Sequence, residues 1–100
     1  MIKTLWQIYG ILRWHKRTFP FITVEQQEQK LAEEIREYNE AIERFVTTGR
    51  QNDLVHVKEE LADITIAIIN LMRYPGIRSN IAQKMAINRK RTWKDGHHKD

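Results

Sequence analysis

The sequence predicts an all-α chain, four helices and no strand, and three observations predict it. Apolar residues recur at intervals of three and four rather than two, the period of a helix face. Few breaks interrupt that pattern: Phe19-Pro20-Phe21, Gly49 and Pro75-Gly76. Helix-ending signals stand beside the breaks, above all Thr23 with Gln26 three positions on, the capping-box spacing. A length of 100 residues allows one domain. It divides into an N-terminal helix and loop over 1–22, a helical body over 23–93 and a frayed tail over 94–100.

The first helix is expected from Ile2 to Lys16, with Leu5, Ile8, Tyr9, Leu12 and Trp6 on its buried side. The second starts at Thr23 and carries Val24, Leu31, Ile35, Tyr38, Ile42 and Phe45, with Gly49 as its natural terminator. The third starts near Asn52 or Asp53, both good N-caps, and carries Leu54, Val57, Leu61, Ile64, Ile68 and Leu71 before Pro75 ends it. The fourth is expected after Ser79, with Ile81, Met85 and Trp93. Ile64 to Met72 is apolar nearly all round. A helix of that kind must be covered on every side, which three short companions can hardly do, so a subunit interface is the simplest solution. A chain of this size buries only about 65% of its unfolded surface, which also favours association.

Composition removes several function classes. No cysteine means no disulfide scaffold, thiolate zinc site or cysteine nucleophile, and fits a reducing, cytoplasmic setting. No apolar run is long enough to span a bilayer, and no targeting segment is visible, so no membrane partner is expected. Gly-rich phosphate loops, H-E-x-x-H and a Ser-His-Asp order are missing.

The net charge of +4 conceals a segregation. Residues 1–18 carry four bases and no acid, residues 25–44 seven acids and three bases, and residues 78–94 six bases and no acid. An acidic middle with basic ends is unusual for a nucleic-acid binder, so nucleic acid is an unfavoured partner. The same distribution suits an acidic cation site facing a basic phosphate arm.

Two acidic segments carry that reading: Glu33-Glu34-Ile35-Arg36-Glu37 and Glu59-Glu60-Leu61-Ala62-Asp63. On helical wheels Glu34 lies about 50° and Glu60 about 75° from the centre of its apolar stripe, on the flank of the seam, while Glu33 and Glu59 point to solvent. Glu37 and Asp63 follow one turn on along the same edges. Four carboxylates on facing flanks repel unless a cation neutralises them. All-oxygen sites suit Mg²⁺ or Mn²⁺, and Mg²⁺ also binds substrate phosphate. The plainer alternative is a solvated acidic face paired with Arg36, Lys30 and Lys58.

At these residues the chain resembles the MazG-like, all-α nucleoside triphosphate pyrophosphohydrolases. The resemblance rests on Glu34-Ile35-Arg36-Glu37 and Glu60-Leu61-Ala62-Asp63, 22 residues apart, and on Lys84-Met85-Ala86-Ile87-Asn88-Arg89-Lys90-Arg91 after them. It covers roughly residues 25 to 93. It implies Mg²⁺, with Mn²⁺ as substitute, held by Glu34, Glu37, Glu60 and Asp63. It implies that Lys84, Asn88 and Arg91 contact a nucleoside or deoxynucleoside triphosphate, cut to the monophosphate and pyrophosphate in nucleotide-pool house-cleaning. It also implies a homodimer or homotetramer that completes a four-helix bundle and the site. Positions 84, 88 and 91 share one helix face by their spacing. Glu33 or Glu37 is the candidate to orient the attacking water, and Lys30 and Trp14 are further candidates for binding substrate. Trp6, His15 and Phe19 could stack on a base beside Trp14; Asn70 follows Asp63 by two turns and could read one. His56 matches no motif. The rival readings are a basic helical module that binds nucleic acid through the Arg78–Lys94 segment, and a non-catalytic helical dimer.

Overall fold

In the computed structural model, which describes residues 1–98, the chain is all-helical apart from one small hairpin. α1 spans Ile2–Thr18, α2 Val24–Thr48, α3 Gln51–Leu71 and α4 Pro75–Lys90. Two-residue strands β1 (Trp93–Lys94) and β2 (His97–His98) pair antiparallel.

The start of α2 follows from its capping residues. Thr23 accepts from the Gln26 amide at 3.1 Å, and Gln26 Oε1 accepts from the Thr23 amide at 2.9 Å, so two orphan donors of the first turn are satisfied reciprocally. Gly49 ends the helix at φ 65°, the left-handed position where a Cβ is disfavoured. Arg50, rather than Asn52 or Asp53, precedes the first residue of α3; Asp53 lies inside the first turn, and its carboxylate accepts from the Thr48 hydroxyl.

Two boundaries differ from expectation. α4 begins at Pro75, four residues before Ser79, because proline at the first helical position has no amide that a helix would need. It also stops at Lys90, so Trp93 is a strand residue. The expected fray over 94–98 is a hairpin: Asp95 and Gly96 both have positive φ, 53° and 80°, which an Asp-Gly pair supplies for a tight two-residue turn. Lys99 and Asp100, the end of that tail, lie outside the described residues.

α2 packs along α3, and α1 lies against α3; α4 stands apart and has no buried residue. The α2–α3 seam is built from Gln27, Glu34 and Ala41 at heptad spacing on one helix, and from Glu60, Ala67, Asn70 and Leu71 on the other. Seen from the sequence, Glu34 and Glu60 belonged on the flank; in the structure they lie inside the seam. Ala41 and Ala67 place small side chains at this contact. Most of the large residues expected to form the stripe, among them Leu31, Ile42, Val57 and Ile64, are half-buried, but three are turned outward. Ile35, Leu61 and Ile68 are 43%, 48% and 48% exposed.

The expected buried side of α1 is only partly covered: Ile8 and Leu12 are half-buried, while Leu5, Trp6 and Tyr9 are all more than half exposed. Its one buried residue is His15. The radius of gyration is 16.5 Å, against about 13 Å for a compact chain of this length. Tyr74 Oη donates to the Ile22 carbonyl at 2.8 Å and Arg73 donates to the Phe19 and Pro20 carbonyls, both at 2.7 Å, so the α3–α4 turn holds the α1–α2 loop. Among the described residues no helix is long and apolar enough to cross a membrane.

Candidate metal centre and its pocket

Heptad spacing brings Glu34 inward beside Gln27 and Ala41 on α2, and Glu60 inward beside Ala67 on α3. Glu37, one turn after Glu34 on the same edge, completes the group. One carboxylate oxygen from each of Glu34, Glu37 and Glu60 lies within 4.8 Å of the others. Glu34 and Glu60 are buried, and their Oε2 atoms have no hydrogen-bond partner. Burying a carboxylate oxygen without a partner is costly. Two such atoms on facing helices fit a divalent cation with oxygen ligands. The electrostatics agree: Glu37 is held above the usual carboxylate range chiefly by the negative charge of Glu34, then by desolvation and by Glu60.

Lys30 supplies the positive charge now present. Its Nζ lies 2.8 Å from Glu34 Oε1, and that hydrogen bond holds the ammonium above the ordinary lysine range. Lys30 thus serves the carboxylate group directly. Of the other two pairings expected of the acidic face, Arg36 bonds Glu40 locally at 3.1 Å, and Lys58 forms no ion pair among the described residues. His56, unassigned from sequence, stands 3.5 Å from Glu60 Oε1, at ion-pair distance once the ring is protonated. Its i, i+4 spacing from Glu60 was the available signal.

Asp63 is exposed and is not among the three converging carboxylates, but with Glu33 it lines the adjoining pocket of about 920 Å³. The opposite wall is aromatic. Trp14 and Phe19 meet edge to face, ring centroids 5.8 Å apart, and both line the cavity. Trp6 does not; it pairs with Tyr9 elsewhere on α1. The pocket therefore has an acidic end and an aromatic end.

Three residues that line it, His15, Gln27 and Ala67, belong to a hydrogen-bond relay that starts outside the pocket at Arg73. The Arg73 guanidinium can only donate, so His15 Nδ1, 3.2 Å from Arg73 Nη1, accepts. The imidazole is then neutral with its proton on Nε2, which donates to Gln27 Oε1 at 2.9 Å. Gln27 Nε2 in turn donates to the Ala67 carbonyl at 3.2 Å. Burial holds His15 below the ordinary histidine value; the Gln27 bond opposes that shift and the Arg73 charge adds to it. Asn70 is buried beside this relay and lines the pocket, and its Oδ1 has no partner. Sequence reasoning missed Gln27 and Arg73. The repeat 27, 34, 41, with two polar members, was the signal for Gln27.

The basic arm is placed differently. Lys84 is exposed on α4, and Asn88 is half-buried with an unpartnered Oδ1. Arg91 leaves the helix at ψ 152°, so the expected i, i+4, i+7 face ends at Asn88. None of the three lines the carboxylate pocket.

No family profile, curated protein or solved structure matches the chain.

Proposed function

We propose that the chain is a Mg²⁺-dependent hydrolase that cuts a nucleoside or deoxynucleoside triphosphate to its monophosphate and pyrophosphate, as its MazG-like motifs imply. One observation carries the reading: the carboxylates of Glu34, Glu37 and Glu60 converge, the Glu34 and Glu60 Oε2 atoms are buried and unpartnered, and Glu34 also lines a ligand-sized pocket shared with Trp14 and Phe19. Glu34, Glu37 and Glu60 would hold the cation, with Asp63 one turn on along α3. The bound cation supplies charge neutralisation at phosphate oxygens and acidifies water.

The remaining work falls to the chain. Glu33, exposed in the pocket wall, can accept a proton from the attacking water, and Glu37 is the alternative. Lys30 can turn from Glu34 to a phosphate oxygen once a divalent ion takes its place. Trp14 and Phe19 offer faces to a base. Positioning and charge stabilisation dominate such phosphoryl chemistry.

A second copy of the chain completes the assembly in this reading, as a homodimer or homotetramer. The exposed apolar faces of α1 and α3 would be its interface, and the partner's α4 would bring a basic arm toward the carboxylates. The test is incubation of the pure protein with Mg²⁺ and a panel of nucleoside and deoxynucleoside triphosphates, measuring monophosphate and pyrophosphate. Glu34→Gln should lower turnover by about 10³-fold, the scale of losing a main charge-stabilising group. Turnover that survives both Glu34→Gln and Asp63→Asn would overturn the assignment.

A further inference from the structure

We propose that the groove between α1 and the α3–α4 turn is a separate binding site for an oligophosphate anion. The groove has a volume of about 580 Å³, within the range that takes small organic ligands. α1 contributes Tyr9, Arg13, Lys16 and Arg17, which share one helix face at i, i+4, i+7 and i+8. The turn contributes Arg73 and Arg78. Five cations thus surround one cavity, and among the described residues no carboxylate lines it.

The sequence explains the imbalance. Residues 1–24 and 64–94 contain no Asp or Glu, so neither wall can neutralise the other. Among the described residues none of the five cations forms an ion pair. Two of them are nonetheless fixed in place. Arg73 is gripped by the Phe19 and Pro20 carbonyls at 2.7 Å each. Arg78 Nη1 donates to the Met72 carbonyl at 2.8 Å and to the Arg73 carbonyl at 3.1 Å. Neutral carbonyls orient a guanidinium without cancelling its charge. Arg13, Lys16 and Arg17 are exposed and make no such bonds, so they are free to close on a ligand.

Guanidinium forks match phosphate oxygens and bind them more strongly than neutral donors do. A chain of two or three phosphates brings several negative charges into one compact volume, which matches five cations around a single cavity. A nucleic-acid track would instead spread its cations along the path of a backbone. The site is distinct from the carboxylate pocket, since α1 turns His15 to that pocket and its Tyr9–Arg13–Arg17 face to this groove. It does not depend on the hydrolase reading.

Sodium tripolyphosphate titrated calorimetrically into the intact protein, with EDTA present to silence the carboxylates, tests the proposal. Saturable binding is expected, weakened at least about tenfold by combined Arg13→Gln and Arg17→Gln, the scale of losing a charge-assisted contact, and unchanged by Glu34→Gln. The two arginines hold nothing in the fold, and circular dichroism of the double variant checks that it is intact. Absence of binding, or binding indifferent to the double substitution, would overturn the site. Binding of an oligothymidylate that tripolyphosphate fails to displace would make it a nucleic-acid surface instead. Loss of self-association in the double variant, with no loss of tripolyphosphate binding, would make it an interface between copies. Loss of metal-dependent turnover in the Glu34 variant reports on the other pocket alone.

Discussion

The two sides of α3 contrast sharply in chemistry and in cover. Toward α2 it presents Glu60, Ala67, Asn70 and Leu71, all buried. One residue on from Glu60, Ala67 and Leu71, about 100° round the helix, stand Leu61 and Ile68, each 48% exposed, and Met72 just past the helix end, 36% exposed. The polar side is covered and the apolar side is open, the reverse of what a self-contained bundle would do. In the proposed assembly the open apolar face would be the interface and the covered face would hold the cation site, on different sides of one helix.

The largest effect should come from the open face. Ile68→Asp breaks the contrast by making both sides polar. If a second copy covers Ile68, association should weaken by more than about thirtyfold, some 2 kcal/mol, as expected of a central interface residue. Analytical ultracentrifugation across a concentration series reads this. If the face is solvent in the working protein, the same substitution should leave stability within about 0.5 kcal/mol.

The covered face is tested by Gln27→Leu. The leucine keeps the volume of the seam but leaves His15 Nε2–H without its acceptor. A loss of about 1–3 kcal/mol in urea unfolding is expected, with helix content unchanged. A change below that range would show that α2 and α3 hold together without the relay.

The smallest effect is in pH. His15 sits lower in the folded chain than in the unfolded one, where its pKa is about 6.5. The unfolded chain therefore binds more protons in the interval below that value. The stability from a neutral buried His15 is fully present above about pH 6.5 and is lost as pH falls through the folded value. The slope for one proton is at most about 1.4 kcal/mol per pH unit. Urea midpoints between pH 7 and 5 should decline in the native chain, and the decline attributable to this group should vanish in His15→Leu.

Much of the fold was legible because its signals are local. Thr23 with Gln26 and Gly49 fix the ends of α2 by hydrogen bonds and a backbone angle, which depend on no distant residue. Pro75 was misread for a related reason: proline ends some helices and begins others, and only the Tyr74 backbone decides between them. The rotation of α2 against α3 was not legible. A helical wheel weights large apolar residues as buried, and it has no term for two alanines permitting close approach. That error placed Glu34 and Glu60 on the flank, although the pairing of the two acidic segments could be read from their spacing. Asn70 was marked by its turn spacing from Asp63, whereas in the relay only Gln27 left a periodic trace, and its partners His15 and Arg73 lie on other parts of the chain. Lys84, Asn88 and Arg91 resembled a motif in order, yet none of them lines the carboxylate pocket, because sequence order carries no information about where the turn before α4 sends the chain.

In the proposed cation site, Lys30 would give the carboxylate group a preference among ions. Its tethered ammonium already offers Glu34 what sodium or potassium could offer, a single positive charge, at a local concentration that free monovalent ions do not reach. Lys30 is half-exposed, so the bond is weak enough to release. An entering ion displaces it only by bringing more charge than it removes. In the proposed cation site, selectivity for divalent over monovalent ions would be set by a competitor built into the next turn of the same helix.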